Sequence, residues 1–153
     1  MSALGRPGRV LTPQDRVLWD LLAGTRRLHL PRCEPHGHRW YPPAPCCPEC
    51  LTDRFDWAAV AGTGSVVSWT TFHRPYLAHF DPPWTVVVAE LAEGPLLVAD
   101  LDGTPDDAAR LALGAAVELT YRDAAFDDGG EGVTFSWRLP AAAADPSPTG
   151  DPS

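Results

Sequence analysis

The stretch from Arg32 to Cys50, RCEPHGHRWYPPAPCCPEC, contains all four cysteines of the chain and two of its five histidines. Thiolate sulfur and imidazole nitrogen are the usual donors of tetrahedral structural zinc, held by two short knuckles whose paired ligands face one ion. Cys33-Glu-Pro-His36, followed by Gly37, reads as the first knuckle, and Cys47-Pro-Glu-Cys50 as the second, ten residues further on. His38 and Cys46 compete for the same positions. Gly37 favours His36, because a glycine there lets the chain turn sharply back, and the two-residue spacing to Cys50 favours Cys47. The expected set is therefore Cys33, His36, Cys47 and Cys50. Leu51 stands where a small residue often follows a second knuckle. Four filled positions leave none open for water or substrate, so such a metal would be structural rather than catalytic. The competing reading is a ribbon without metal, its thiols buried as small apolar groups.

Other chemistry is sparse. The sequence contains no G-x-S-x-G, phosphate loop or H-E-x-x-H, and all twelve basic residues are Arg, which removes lysine Schiff-base chemistry. His73 and His79, in HRPYLAHFDPPW, can be imagined as an acid and a base. The more ordinary reading is a long loop between the first two strands of a barrel, where Tyr76, Leu77, Phe80 and Trp84 with three prolines form a stiff apolar surface. Such a loop binds a ligand or partner, or packs locally. Arg26, Arg27, Arg32 and Arg39 cluster around the ribbon, either as solvated charge or as a contact for an acidic partner or a nucleotide phosphate.

The elements that must position these groups follow from capping and periodicity. TPQDRVLWDLLAG has the grammar of a helix, with Thr12 as cap, Pro13 in the first turn and Gly24 to end it. Its stripe of Val17, Leu18, Leu21 and Leu22, with Trp19 beside it, packs on its own domain or docks on another subunit. RRLHL alternates like a strand. FDWAAVAGTGSVVSWTTFH reads as two strands around Gly62–Gly64, and WTVVVAELAEGPLLVADL as two more joined at Glu93–Gly94–Pro95. TPDDAARLALG is a short capped helix from Thr104 to Gly114, and AAVELTYRD and GVTFSWRL are the last strands. A main domain of three strands, a helix and two strands is the order of an OB-fold barrel. The expected organisation is a flexible lead-in over 1–11, a helix over 12–25, a zinc ribbon over 26–54, a barrel over 55–139 and a disordered tail over 140–153.

Charge narrows the partners. The net charge is −8. Residues 1–60 carry eight Arg against six acids, and residues 61–139 carry four Arg against twelve acids. An acidic barrel repels phosphate backbones, which argues against a nucleic-acid-binding OB module. No apolar run suits a bilayer or a signal peptide, so the expected location is cytoplasmic.

These pieces together resemble a family of zinc-ribbon plus OB-fold proteins associated with acyl-CoA enzymes, long carried as a domain of unknown function. The resemblance spans about Leu11 to Leu139. It rests on LWDLLAGTRRLHLPRC, on the ribbon with W-Y-P-P between its knuckles, on GTGSVVSWTTFHRP, on PPWTVVVAELAEGPLLVADL and on LGAAVEL. Family members carry Cys at all four knuckle positions; His36 departs from that pattern. The resemblance implies a mainly β protein, an N-terminal helix and rubredoxin-like zinc ribbon followed by a five-stranded OB-fold barrel. It further implies a non-catalytic accessory subunit in a hetero-oligomer with a thiolase-superfamily enzyme, sharing acyl-CoA as ligand with that partner. Steroid side-chain retro-aldolases, thiolase assemblies and acyltransferases are the reactions it suggests. Trp19, Arg26, Arg27, His73, Arg74, Tyr76, Phe80 and Trp84 are the expected ligand or partner contacts.

Overall fold

A computed structural model describes residues 11–75, 81–125 and 130–141. Tyr76, Leu77, His79 and Phe80, with nearly all of the expected lead-in and tail, lie outside these residues. The elements are α1 (Pro13–Thr25), β1 (His29–Cys33), β2 (Phe55–Ala59), β3 (Thr63–Phe72), β4 (Trp84–Leu91), β5 (Leu96–Asp100), α2 (Pro105–Ala109), β6 (Ala116–Ala125) and β7 (Glu131–Arg138).

Helix α1 begins as its sequence dictates. The Thr12 hydroxyl accepts the Asp15 N–H at 3.1 Å and the Asp15 carboxylate accepts the Thr12 N–H at 2.9 Å, a reciprocal capping box. The helix does not stop at Gly24. It runs on to Thr25, and Arg26 takes the left-handed cap position at φ 51°, its N–H reaching the Leu22 carbonyl at 2.9 Å. Leu18 and Leu22 are fully buried and the helix packs on β7, with Trp19 stacked on Phe135 at 6.1 Å. The apolar stripe is thus spent largely on its own chain. Helix α2 repeats the cap with Thr104 and Asp107, but it lasts only five residues rather than reaching Gly114.

The main sheet has the order β5-β4-β3-β6-β7, and every neighbouring pair is antiparallel. A parallel bridge between Leu101 and Trp137 brings its two edges together, and the Asp102 N–H donates to the Trp137 carbonyl at 2.7 Å. Five strands, a helix between the third and fourth, and edges joined in parallel give an OB-fold barrel. Trp137, with no exposed surface, sits at this seam and its indole N–H donates to the Leu97 carbonyl at 3.2 Å. Gly64 allows the close approach: a Cβ there would lie 2.7 Å from the Glu90 carbonyl oxygen and 3.1 Å from the Trp137 ring.

Strand β2 falls in the stretch expected to open the barrel. Its five-residue ladder instead pairs it with β1, from His29↔Ala59 to Cys33↔Phe55, in a separate two-stranded sheet. Periodicity identifies a strand but not its partner. The main core runs from Leu18, Leu22, Leu28 and Leu30 through the barrel to Trp137, whereas the ribbon's own buried core is Cys33, Trp40 and Cys47, backed by Ala44 and Phe55.

Among the described residues, the outer face of β4 and β5 presents apolar side chains beside Glu90 and Asp100. Alternation along β4 buries Thr85, Val87, Ala89 and Leu91 and turns Val86 and Val88 outward. Register places Val98 beside Val88. Val98 is 54% exposed and Leu96 52%.

Candidate metal centre

The two knuckles are built alike. The Gly37 N–H donates to the Cys33 carbonyl at 2.7 Å and the Leu51 N–H donates to the Cys47 carbonyl at 2.9 Å. Cys33 and Cys47 each donate their own N–H to the carbonyl five residues on, His38 at 2.8 Å and Thr52 at 2.9 Å. Gly37 and Leu51 both sit in the left-handed region, at φ 73° and 59°. This is the position that a small residue suits, and Leu51 occupies it while 75% exposed. A left-handed non-glycine residue costs about 1–2 kcal/mol, and glycine's extra freedom in the unfolded chain offsets about 0.4–1 kcal/mol. Leu51→Gly is therefore expected to stabilise the protein by roughly 0.5–1 kcal/mol in urea denaturation, and Gly37→Ala to destabilise it by about the same amount.

Both turns converge on one point. Donor atoms of Cys33, His36, Cys47 and Cys50 all lie within 4.8 Å of one another. The Cys33 and Cys50 sulfurs are 3.6 Å apart, and the His36 Nε2 lies 3.2 Å from the Cys50 sulfur and 3.7 Å from that of Cys47. Zinc bonds of about 2.3 Å to sulfur and 2.0 Å to nitrogen give tetrahedral edges of about 3.8 Å and 3.5 Å. The group therefore fits such an ion, with three sulfurs and one nitrogen.

The thiols are unlike one another. Burial, then a hydrogen bond with Cys50, pushes the Cys33 thiol up to about 11. Burial also pushes Cys47 upward, but the N–H groups of Cys50 and Glu49 aimed at its sulfur outweigh it and hold the thiol below its ordinary value. His38 is drawn away from the donors: its Nδ1 lies 3.3 Å from Glu49 Oε1 and its ring stacks on Trp40 at 6.2 Å. Cys46 lies outside the donor group.

The basic cluster has partners within the chain. Arg32 forks onto Asp56, its register partner on β2, at 3.0 and 2.5 Å, and these hydrogen bonds hold the Asp56 carboxyl below its usual range. Arg26 pairs with Asp123 at 2.7 Å, and Arg39 donates to the Ala59 carbonyl at 3.0 Å. Arg27 is exposed. His73 lines a cavity of about 370 Å³ with Asp81, Thr71, Trp84 and Thr85, roofed by α2, and Arg74 is exposed nearby. Trp84 stacks on Phe72 at 4.8 Å. Glu49, which contacts both histidines, was not singled out from sequence; an acid between the two cysteines of a knuckle was the available sign.

A family model described as the C-terminal OB-fold domain of ChsH2 matches residues 57–122. One chain of the solved structure described as "Ltp2-ChsH2(DUF35) aldolase" aligns with a TM-score of 0.72 at 31% identity, over 88% of this chain and 98% of that one. The chain belongs to the DUF35 family. This DUF35 protein is also 38% identical over 113 residues to the "Probable enoyl-CoA hydratase alpha subunit" of Thermomonospora curvata, covering 72% of this chain and 34% of that protein. It is 30% identical over 87 residues to the "3-oxo-4,17-pregnadiene-20-carboxyl-CoA hydratase alpha subunit" of Mycobacterium tuberculosis, covering 57% of this chain and 27% of that protein. The chain spans about a third or less of the length of these two curated relatives.

Proposed function

We propose that this DUF35 chain is a non-catalytic accessory subunit of a thiolase-like acyl-CoA enzyme, supporting its partner and helping to form the acyl-CoA site. The observation that carries the reading is the structural likeness to a chain of an aldolase along 98% of that chain's length. In this reading the catalytic groups reside on the partner, and the reaction is retro-aldol cleavage of a steroid side-chain acyl-CoA. The aldolase relative and the relative named for a pregnadiene-carboxyl-CoA support that choice of chemistry. The metal is a structural zinc held by Cys33, His36, Cys47 and Cys50. The connection from β3 to β4, with His73, Arg74 and Trp84, is the chain's contribution to the acyl-CoA channel.

The exposed Leu96 and Val98 of β5, beside half-buried Val86 and Val88, support the presence of a partner, since exposed apolar surface marks interaction sites. Co-expression with any thiolase-like protein encoded near this chain is expected to yield a stable heteromer on size exclusion. Val98→Glu leaves the fold unchanged, because the side chain is 54% exposed, but places a charge in the interface. It is expected to lower partner affinity by about tenfold or more. A chain that remains monomeric with every such neighbour overturns the reading.

A further inference from the structure

We propose that Glu49 is the positioning residue of the metal centre: it orients His36 and ties the two knuckles together. A cysteine ligand has one donor atom and needs no such help. An imidazole has two nitrogens, and the one that does not bind metal must hold the proton and find an acceptor. His36 turns Nε2 to the sulfurs, at 3.2 Å from Cys50 and 3.7 Å from Cys47. Its Nδ1 then faces Glu49 Oε2 at 3.7 Å, so a small turn of the carboxylate brings the two within hydrogen-bond length.

The carboxylate, 59% exposed, has a second imidazole beside it. Its other oxygen, Oε1, lies 3.3 Å from His38 Nδ1, and the His38 ring stacks on Trp40 with 14° between planes. Trp40 is only 5% exposed and meets Phe55 edge-on at 5.3 Å. Glu49 is thus clasped between two imidazoles, the second of which is anchored to the ribbon's core. Its backbone N–H meanwhile points at the Cys47 sulfur. One residue therefore serves the sulfur of the second knuckle through its main chain and the imidazole of the first through its side chain. His38, which the ligand set leaves out, acquires a role as the buttress of that carboxylate.

The inference rests on zinc occupying the four-ligand group, and the experiment separates the two ideas. Zinc affinity is measured by competition with a chromophoric chelator for the full chain and for Glu49→Ala, Glu49→Gln, His36→Cys and His36→Cys/Glu49→Ala. Glu49→Ala is expected to weaken zinc by about 10- to 100-fold in the His36 protein and by less than about threefold in the His36→Cys background. Glu49→Gln, whose carbonyl still accepts from Nδ1, falls between. The Nδ1–H resonance of His36, observed by proton NMR in the zinc-loaded protein, is expected to be lost from the Glu49→Ala spectrum. Equal losses of affinity in both backgrounds, or no loss in either, overturn the positioning role while leaving the zinc site standing. Failure of the unmodified chain to bind zinc at all overturns both.

Discussion

Replacing Cys47 with alanine is expected to strip the metal from the ribbon and unfold residues 33–54 while the barrel stays folded. The reason lies in how little else holds that segment. Its own buried core is three side chains, Cys33, Trp40 and Cys47, two of which are candidate metal donors. A segment so small needs a staple, and structural zinc supplies about 10–16 kcal/mol of apparent binding free energy in comparable modules. Elemental analysis should show a fall from about one zinc ion per chain to near none. Hydrogen exchange should show lost protection at the knuckle amides of Cys33, Gly37, Cys47 and Leu51 and little change along β3–β7. Chelation of the unmodified protein should reproduce the pattern. Unchanged exchange in the ribbon after either treatment would sink the idea.

Trp137→Ala is expected to be the most damaging single change in the barrel. The side chain has no exposed surface, lies at the seam where β5 meets β7, and donates its indole N–H to Leu97. Truncating a buried Trp costs about 3–5 kcal/mol, and leaving the Leu97 carbonyl without its donor adds about 1–3 kcal/mol. Against a total stability of about 5–15 kcal/mol, that is enough to leave the barrel marginal. Urea denaturation with zinc present isolates the barrel's share, and Trp137→Phe should recover much of the apolar part but not the hydrogen bond. Enlarging Gly64 cannot fill the void, because its Cβ would sit 2.7 Å from the Glu90 carbonyl oxygen. A midpoint within experimental error of the unmodified protein would show that the seam does not depend on this ring.

What sequence conveyed best was local chemistry. Thr12 and Thr104, each with an Asp three residues on, announced helix starts, and the donor spacing singled out four ligands from six. These signals act over a few residues, where chain geometry leaves few alternatives. The ends of the helices were less legible. Gly24 looked like a stop, but the left-handed cap fell to Arg26, whose guanidinium is tied to Asp123, 97 residues away. Strand partners were equally hidden, since FDWAA alternates suitably for the barrel and yet pairs with β1. The basic cluster looked available because its carboxylate partners, Asp56 and Asp123, come from later strands.

Strand β1 belongs to two neighbourhoods at once. Leu28, just before it, and Leu30 are buried in the main core, while Cys33 at its far end is a candidate metal donor in the ribbon's core. Only Pro31 and Arg32 separate Leu30 from Cys33, and Arg32, paired with Asp56, braces the same short span against β2. The ribbon is therefore cantilevered from the barrel on a stub too short to swivel. A companion protein that grips both the knuckles and the valine face would meet a caliper of set opening, and an ion held by the four donors would keep one of its jaws in shape.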